Sequence, residues 1–187
     1  MAKEKKRGAA FIDRDGTINV EVNYLHEPEK AVILPGVAEA LDLIHAHGYL
    51  AVVVTNQAGI AKGMYGEAEM RAVHERIREL LAPATFDALY FCPHHPKFTG
   101  ECDCRKPLPG MLLQAARELD IDLARSFMVG DRASDIGAGL AAGCSCNYLV
   151  RTGYGETALA EAGGAISGAT VADDLLSAVR DFFADRS

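Results

Sequence analysis

"FIDRDGTI", residues 11–18, places two carboxylates, Asp13 and Asp15, directly after a short apolar run. With the two alanines before it the run reads "AAFID" (9–13). A short apolar run that stops abruptly at polar residues fits a strand buried on both faces, as in a parallel sheet. Asp-Gly is also a common turn signal, so these eight residues alone do not separate a functional loop from a plain turn. What decides is whether similar runs follow, and where their polar residues fall.

Similar runs do follow, alternating with helical patterns. "PGVAEALDLIHAHG" (35–48) has apolar residues at helical spacing and closes on Gly48. "YLAVVVTNQ" (49–57) is a β-branched run, "EAEMRAVHERIRELLA" (67–82) an amphipathic helix and "FDALYFC" (86–92) a strand. The pattern continues through "PGMLLQAARELD" (109–120), "RSFMVGD" (125–131), "SDIGAGLAAG" (134–143) and "CSCNYLV" (144–150). A glycine-containing loop, "RTGYGETA" (151–158), precedes the helical tail "VADDLLSAVRDFFAD" (171–185). Such alternation predicts an α/β, three-layer Rossmann-like fold, a parallel sheet with helices on both faces. Ligands in such folds bind beyond the carboxyl ends of the strands. Polar residues gather there: Asp13 and Asp15 after the first strand, Thr55 and Asn56 after the second, Asp131 after a later one.

Composition narrows the classes. The chain has 187 residues, 49% of them hydrophobic, enough for one domain with a real core. A formal net charge of −7 argues against non-specific nucleic-acid binding. The basic start, residues 1–8, reads as a solvated tail without the apolar run of a signal peptide, and "YLAVVV" is too short to span a bilayer. A soluble, cytoplasmic monomer is expected, with no membrane or nucleic-acid partner and with reduced thiols.

Three further clusters accompany the two carboxylates: "VVTNQ", "CRKP" and "MVGDRASD". A nucleophile, an acid/base carboxyl, a hydroxyl, an amide, a lysine and distal acids suit phosphoryl transfer, where charge spread over three oxygens must be neutralised. In order and placement the four clusters resemble the motifs of the haloacid dehalogenase-like (HAD) phosphatases, over nearly the whole chain. "DRDGTINV", "NYLHE", "VVVTNQAGIAKG" and "CDCRKPLPGM" are similar to the heptose 1,7-bisphosphate phosphatase branch, with the histidinol-phosphate phosphatases as the alternative and a receiver-like phospho-acceptor as the non-enzyme rival.

The resemblance implies that Asp13 attacks phosphorus and Asp15 serves as acid and base. Mg²⁺ would be held by Asp13, Asp131 and the backbone carbonyl of Asp15, while Thr55, Asn56 and Lys106 bind the phosphoryl group. Asp135 is expected either to support the metal or to cap the helix starting at Ser134. Only 42 positions separate Asp13 from Thr55 and 51 separate Thr55 from Lys106. Short loops, not a large cap domain, should therefore read the sugar phosphate. Asn19, Glu21, Asn23 and Tyr24 are candidates for its hydroxyls, Arg105 for the remote phosphate or the sugar, and Arg132 for either substrate or solvent.

"CPHHPKFTGECDC" (92–104) holds three of the five cysteines. Cys92 and His94, with Cys102 and Cys104, offer two donor pairs at i, i+2 spacing, which suits tetrahedral Zn²⁺ with no open position. His94 pairs more symmetrically than His95. Such a zinc would be structural, a staple holding Arg105 and Lys106. Cys144 and Cys146, in a strand after Gly143 and pointing to one face, read as small core residues.

Overall fold

Every residue of Ala9–Ile12 (β1) is buried. In the computed structural model, which describes residues 6–184, a 3-10 turn (Pro28–Lys30) then leads to α1 (Val37–Ala46), β2 (Leu50–Asn56), α2 (Ala58–Ala61), α3 (Glu67–Leu81) and β3 (Ala88–Cys92). The chain continues through α4 (Pro96–Thr99), α5 (Gly110–Glu118), β4 (Phe127–Gly130), α6 (Ala133–Ala142), β5 (Cys146–Val150), α7 (Gly155–Glu161), β6 (Thr170–Ala172) and α8 (Leu175–Ala184). The strands lie in the order β3-β2-β1-β4-β5-β6, every neighbouring pair parallel.

The two-residue period of a strand explains why β1 and β2 are apolar throughout. Ala10, Ile12, Ala51 and Val53 face a layer built on α1, α3 and α8, where Leu41, Ile77 and Phe182 are buried. Ala9, Phe11, Val52 and Val54 face the opposite layer, with Met111 and Leu112 of α5 and Ala138 of α6. Sheet order reverses at β1, which has β2 on one side and β4 on the other. This switch point opens a crevice beyond the carboxyl ends of β1 and β4, where Asp13 and Asp131 fall.

Three expectations change. The segment read as a helical tail begins with an edge strand, β6, and its helix starts only at Leu175; Asp185 lies outside the described residues. The stretch 1–8 is not all tail. Arg7 bridges to Ile121, Lys6 pairs with Asp120 at 2.7 Å and Gly8 is buried, because this segment leads straight into the central strand; residues 1–5 lie outside the described residues. Cys144 precedes β5, and it and Cys146 pack against different core clusters instead of sharing one face. Among the described residues no helix is long and apolar enough to cross a membrane.

Candidate active site

Asp13 continues the ladder of β1 by donating its N–H to Val129 O at 2.9 Å, which fixes its carboxylate beside β4. The chain then turns tightly, with Ile18 N donating to Arg14 O at 2.8 Å. Gly16 sits at φ +83°, and a Cβ there would come 2.2 Å from Asp131 Oδ2. Gly153, in the loop before α7, packs against Gly16 and approaches the same oxygen. Tyr154 N donates to Asp131 Oδ2 at 2.8 Å, and Thr152 Oγ1 donates to Gly16 O. Residues 152–154 therefore clamp Asp131, a role that sequence reasoning left open for the stretch 151–158, of which the part from Gly155 onward is helical.

Lys106 meets these carboxylates from the far side of the crevice. Its Nζ lies 2.6 Å from Asp13 Oδ1 and 2.6 Å from Asp135 Oδ1, and it donates to Val54 O at 2.8 Å. Asn56 grips its backbone twice, accepting from Lys106 N and donating to Lys106 O, both at 3.1 Å. The amide expected on the phosphoryl group is thus largely occupied in placing the lysine. Asp135 caps α6 and also pairs with the lysine. Its Oδ2 accepts from Arg132 N at 2.9 Å as a helix cap, while Oδ1 binds Lys106.

Asp13, Asp131 and Asp135 are all buried and bring carboxylate oxygens within 4.8 Å of one another. Burial pushes the Asp13 carboxyl well up, and the neighbouring Asp135 and Asp131 add to this while Lys106 opposes it. Burial likewise pushes Asp131 up to about 7. Lys106 is held at about 12, the pull of Asp13 and Asp135 outweighing its burial. Three carboxylates against one ammonium leave surplus negative charge, and Asp131 Oδ1 is buried with no hydrogen-bond partner. Hard oxygen donors with one left orphaned fit a divalent cation such as Mg²⁺. The carboxylate of Asp15 stays outside this group, as expected if only its backbone carbonyl serves a metal.

The Asp15 carboxylate instead accepts from Arg14, from Asn19 Nδ2 at 3.0 Å and from Gln57 Nε2 at 3.2 Å. Burial would raise its pKa, but Arg14 and these donors together hold it below the usual carboxylate range. This corrects Asn19: it is fully buried and serves Asp15, because the chain turns inward there and pairs with Ile33.

Around these groups lies a cleft of about 440 Å³ lined by Asp13, Asp15, Glu21, Asn23, Tyr24, Thr55, Asn56, Arg105, Lys106, Arg132 and Asp135. Every other expected phosphate- or sugar-contacting residue therefore reaches one cavity. Thr55 Oγ1 accepts from Gln57 Nε2 at 2.8 Å, which leaves the hydroxyl's own proton to be donated elsewhere. Arg132 stacks 3.9 Å over the Tyr154 ring and stands 3.9 Å from Glu21 Oε2, joining two walls of the mouth.

The cysteine loop leaves β3 at Cys92, which is fully buried. Cys102 Sγ lies 3.6 Å from Cys92 Sγ and 3.5 Å from Cys104 Sγ, and the sulfurs of Cys92 and Cys104 are in direct contact, paired as a disulfide. A disulfide accounts for two of these sulfurs, whereas a metal accounts for all three. The donor set is compatible with zinc. The three sulfurs lie within 4.8 Å of one another, and His94, the fourth expected donor, stands outside that group. Its carbonyl accepts from Arg105 Nη1 at 3.2 Å, so His94 helps place that cation through its backbone. Gly110 allows the loop to close on α5: Asp103 O accepts from Gly110 N at 3.0 Å, and a Cβ there would lie 2.2 Å from that oxygen.

Fold and site define the class, a HAD-like hydrolase with its carboxylates at the switch point of a parallel sheet. A HAD-hydrolase-like family model matches residues 103–178. D-glycero-beta-D-manno-heptose-1,7-bisphosphate 7-phosphatase of Yersinia pestis is 47% identical over 161 residues, spanning 82% of this chain and 86% of the relative. The Haemophilus influenzae protein of that name is 42% identical over 179 residues, spanning 92% and 93%. A crystal structure of D,D-heptose 1,7-bisphosphate phosphatase from B. bronchiseptica, complexed with magnesium and phosphate, superposes with a TM-score of 0.85 at 35% identity, covering 95% of this chain and 99% of that one. The chain belongs to this family of HAD-like heptose-bisphosphate phosphatases.

Proposed function

We propose that this chain is a Mg²⁺-dependent phosphomonoesterase that removes the 7-phosphate of D-glycero-D-manno-heptose 1,7-bisphosphate, in the biosynthesis of nucleotide-activated heptose. One observation carries the reading: Asp13 stands within 2.6 Å of a buried lysine and within one carboxylate group with Asp131 and Asp135, at the floor of an open cleft. Asp13 attacks phosphorus, the bond to the sugar oxygen breaks, and Asp15 gives that oxygen its proton. Asp15 then takes a proton from water as the water attacks the aspartyl-phosphate, which frees phosphate and restores Asp13. General acid–base help of this kind is worth about 10²–10⁴-fold. Lys106 and the Thr55 hydroxyl hold phosphoryl oxygens, and fixed donors in a buried site need no reorganisation during reaction.

Asp13 and Asp131, with the carbonyl of Asp15, would hold Mg²⁺, and Asp135 is close enough to support it. When bound, the ion offsets the repulsion between an anionic nucleophile and an anionic substrate. Zn²⁺ on Cys92, His94, Cys102 and Cys104 would be structural, keeping Arg105 and Lys106 over the uncapped cleft. Glu21, Asn23, Tyr24 and Arg132 face the sugar, and Arg105 the remote phosphate. We take the enzyme to be a cytoplasmic monomer of one domain, without nucleic-acid or membrane partners.

The test is Mg²⁺-dependent phosphate release from heptose 1,7-bisphosphate against histidinol phosphate. The reading expects the sugar to be far faster and the product to retain its 1-phosphate. Comparable or reversed rates would transfer the assignment to the histidinol-phosphate branch.

A further inference from the structure

Arg14 sits between the two carboxylates of "DRDG", yet it is among the largest fully buried side chains and does not line the cleft. Its guanidinium is spent on two partners. Nε reaches both oxygens of Asp15 at 3.1 and 3.0 Å, and Nη2 reaches them at 2.9 and 2.7 Å. Nη1 lies 2.9 Å from His74 Nε2. Arginine carries only donors, so His74 Nε2 must accept and the ring is neutral, protonated at Nδ1. Burial first, and Arg14 next, push His74 down to about 3, in keeping with that geometry.

His74 lies on the buried stripe of α3 with Met70, Val73, Ile77 and Leu81. A histidine there is out of keeping with its neighbours unless its acceptor is needed. Planar guanidinium groups fix a carboxylate in orientation as well as in charge, but only if the fork itself is kept from rotating.

We propose that Arg14 and His74 act together as positioning residues for Asp15: His74 accepts from the free edge of the Arg14 guanidinium, which locks its fork on Asp15 and turns that carboxyl toward the leaving oxygen. Neither residue touches substrate. The proposal rests on the reading of Asp15 as acid and base. Asn19 and Gln57 complete the same setting, and Gln57 is itself fixed by Tyr65, whose hydroxyl donates to Gln57 Oε1 at 2.7 Å.

A positioned acid matters only when the leaving group needs a proton. The test compares kcat/KM, which reports the steps through loss of the leaving group, for heptose 1,7-bisphosphate and for 2,4-dinitrophenyl phosphate. Both substrates are measured on the same sample, so their ratio is independent of the folded fraction. In Asp15→Asn the sugar substrate should lose about 10²–10⁴-fold, the usual worth of a general acid, with the activated aryl phosphate within a few-fold of wild type. His74→Leu should reproduce the pattern at about 10- to 100-fold on the sugar, and His74→Gln, whose amide oxygen can accept at the same place, should restore the ratio to within about threefold. If His74→Leu does not fold, His74→Asn, too short to reach Arg14, should give the same ratio as expected for Leu. Discrimination in Asp15→Asn without discrimination at His74 overturns the proposal alone. Equal losses on both substrates in Asp15→Asn overturn the acid–base reading and the proposal with it.

Discussion

The ammonium of Lys106 lies 2.6 Å from a carboxylate oxygen of Asp13, both groups buried at the floor of the cleft. The ladder of β1 places the carboxylate and Asn56 places the lysine's backbone. Lys106→Met should keep the shape and remove the charge. Turnover should fall about 10²–10³-fold, the usual effect of losing one fixed donor to a developing anion. Steady-state phosphate release checks this, and a fall below threefold would remove Lys106 from the chemistry.

Magnesium affinity should depend on pH with a definite sign. Asp131 is pushed up to about 7, chiefly by burial, so in the metal-free protein it binds a proton as pH falls through neutrality. The ion must displace that proton, and its apparent Kd should rise about tenfold per unit below that value for each proton released. Calorimetry in buffers of different ionisation enthalpy should detect proton release near pH 6. A Kd constant from pH 8 to 5.5 would contradict the carboxylate site.

Protein purified under reducing conditions should contain about one zinc per chain. Denatured in chelator it should titrate all five cysteines of the sequence as thiols. Three thiols and no zinc would mean that the contacting sulfurs of Cys92 and Cys104 form a disulfide in solution.

His74 links stability to pH. Its ordinary value is 6.5, and burial with Arg14 lowers it to about 3 in the folded protein. Below pH 6.5 the unfolded chain takes up a proton that the folded chain refuses, so stability is lost as pH falls toward 3. His74→Gln removes this contribution. The urea midpoint of wild type should therefore lose ground to the variant between pH 7.5 and 5, and parallel curves would contradict a buried neutral imidazole.

The sheet was legible because β1, β2 and β4 are apolar on both faces and stop abruptly at polar residues, which also placed Asp13, Thr55 and Asp131 at one edge. β6 was not, since "TVA" is short and runs into a helical pattern. Asn19 looked like a loop residue because an inward turn leaves no periodic trace. Arg14 was passed over, as nothing in a dipeptide tells a buried arginine from a solvated one. His74 carried a faint signal: it occupies the apolar stripe of α3, four residues after Met70 and three before Ile77.

The central claim is that Asp13 is the nucleophile. Single turnover with substrate labelled in its 7-phosphate, quenched in acid within milliseconds and digested, should place the label on the peptide carrying Asp13, and Asp13→Asn should abolish both label and turnover. Turnover with no label on that peptide, or an active Asp13→Asn, would contradict the account.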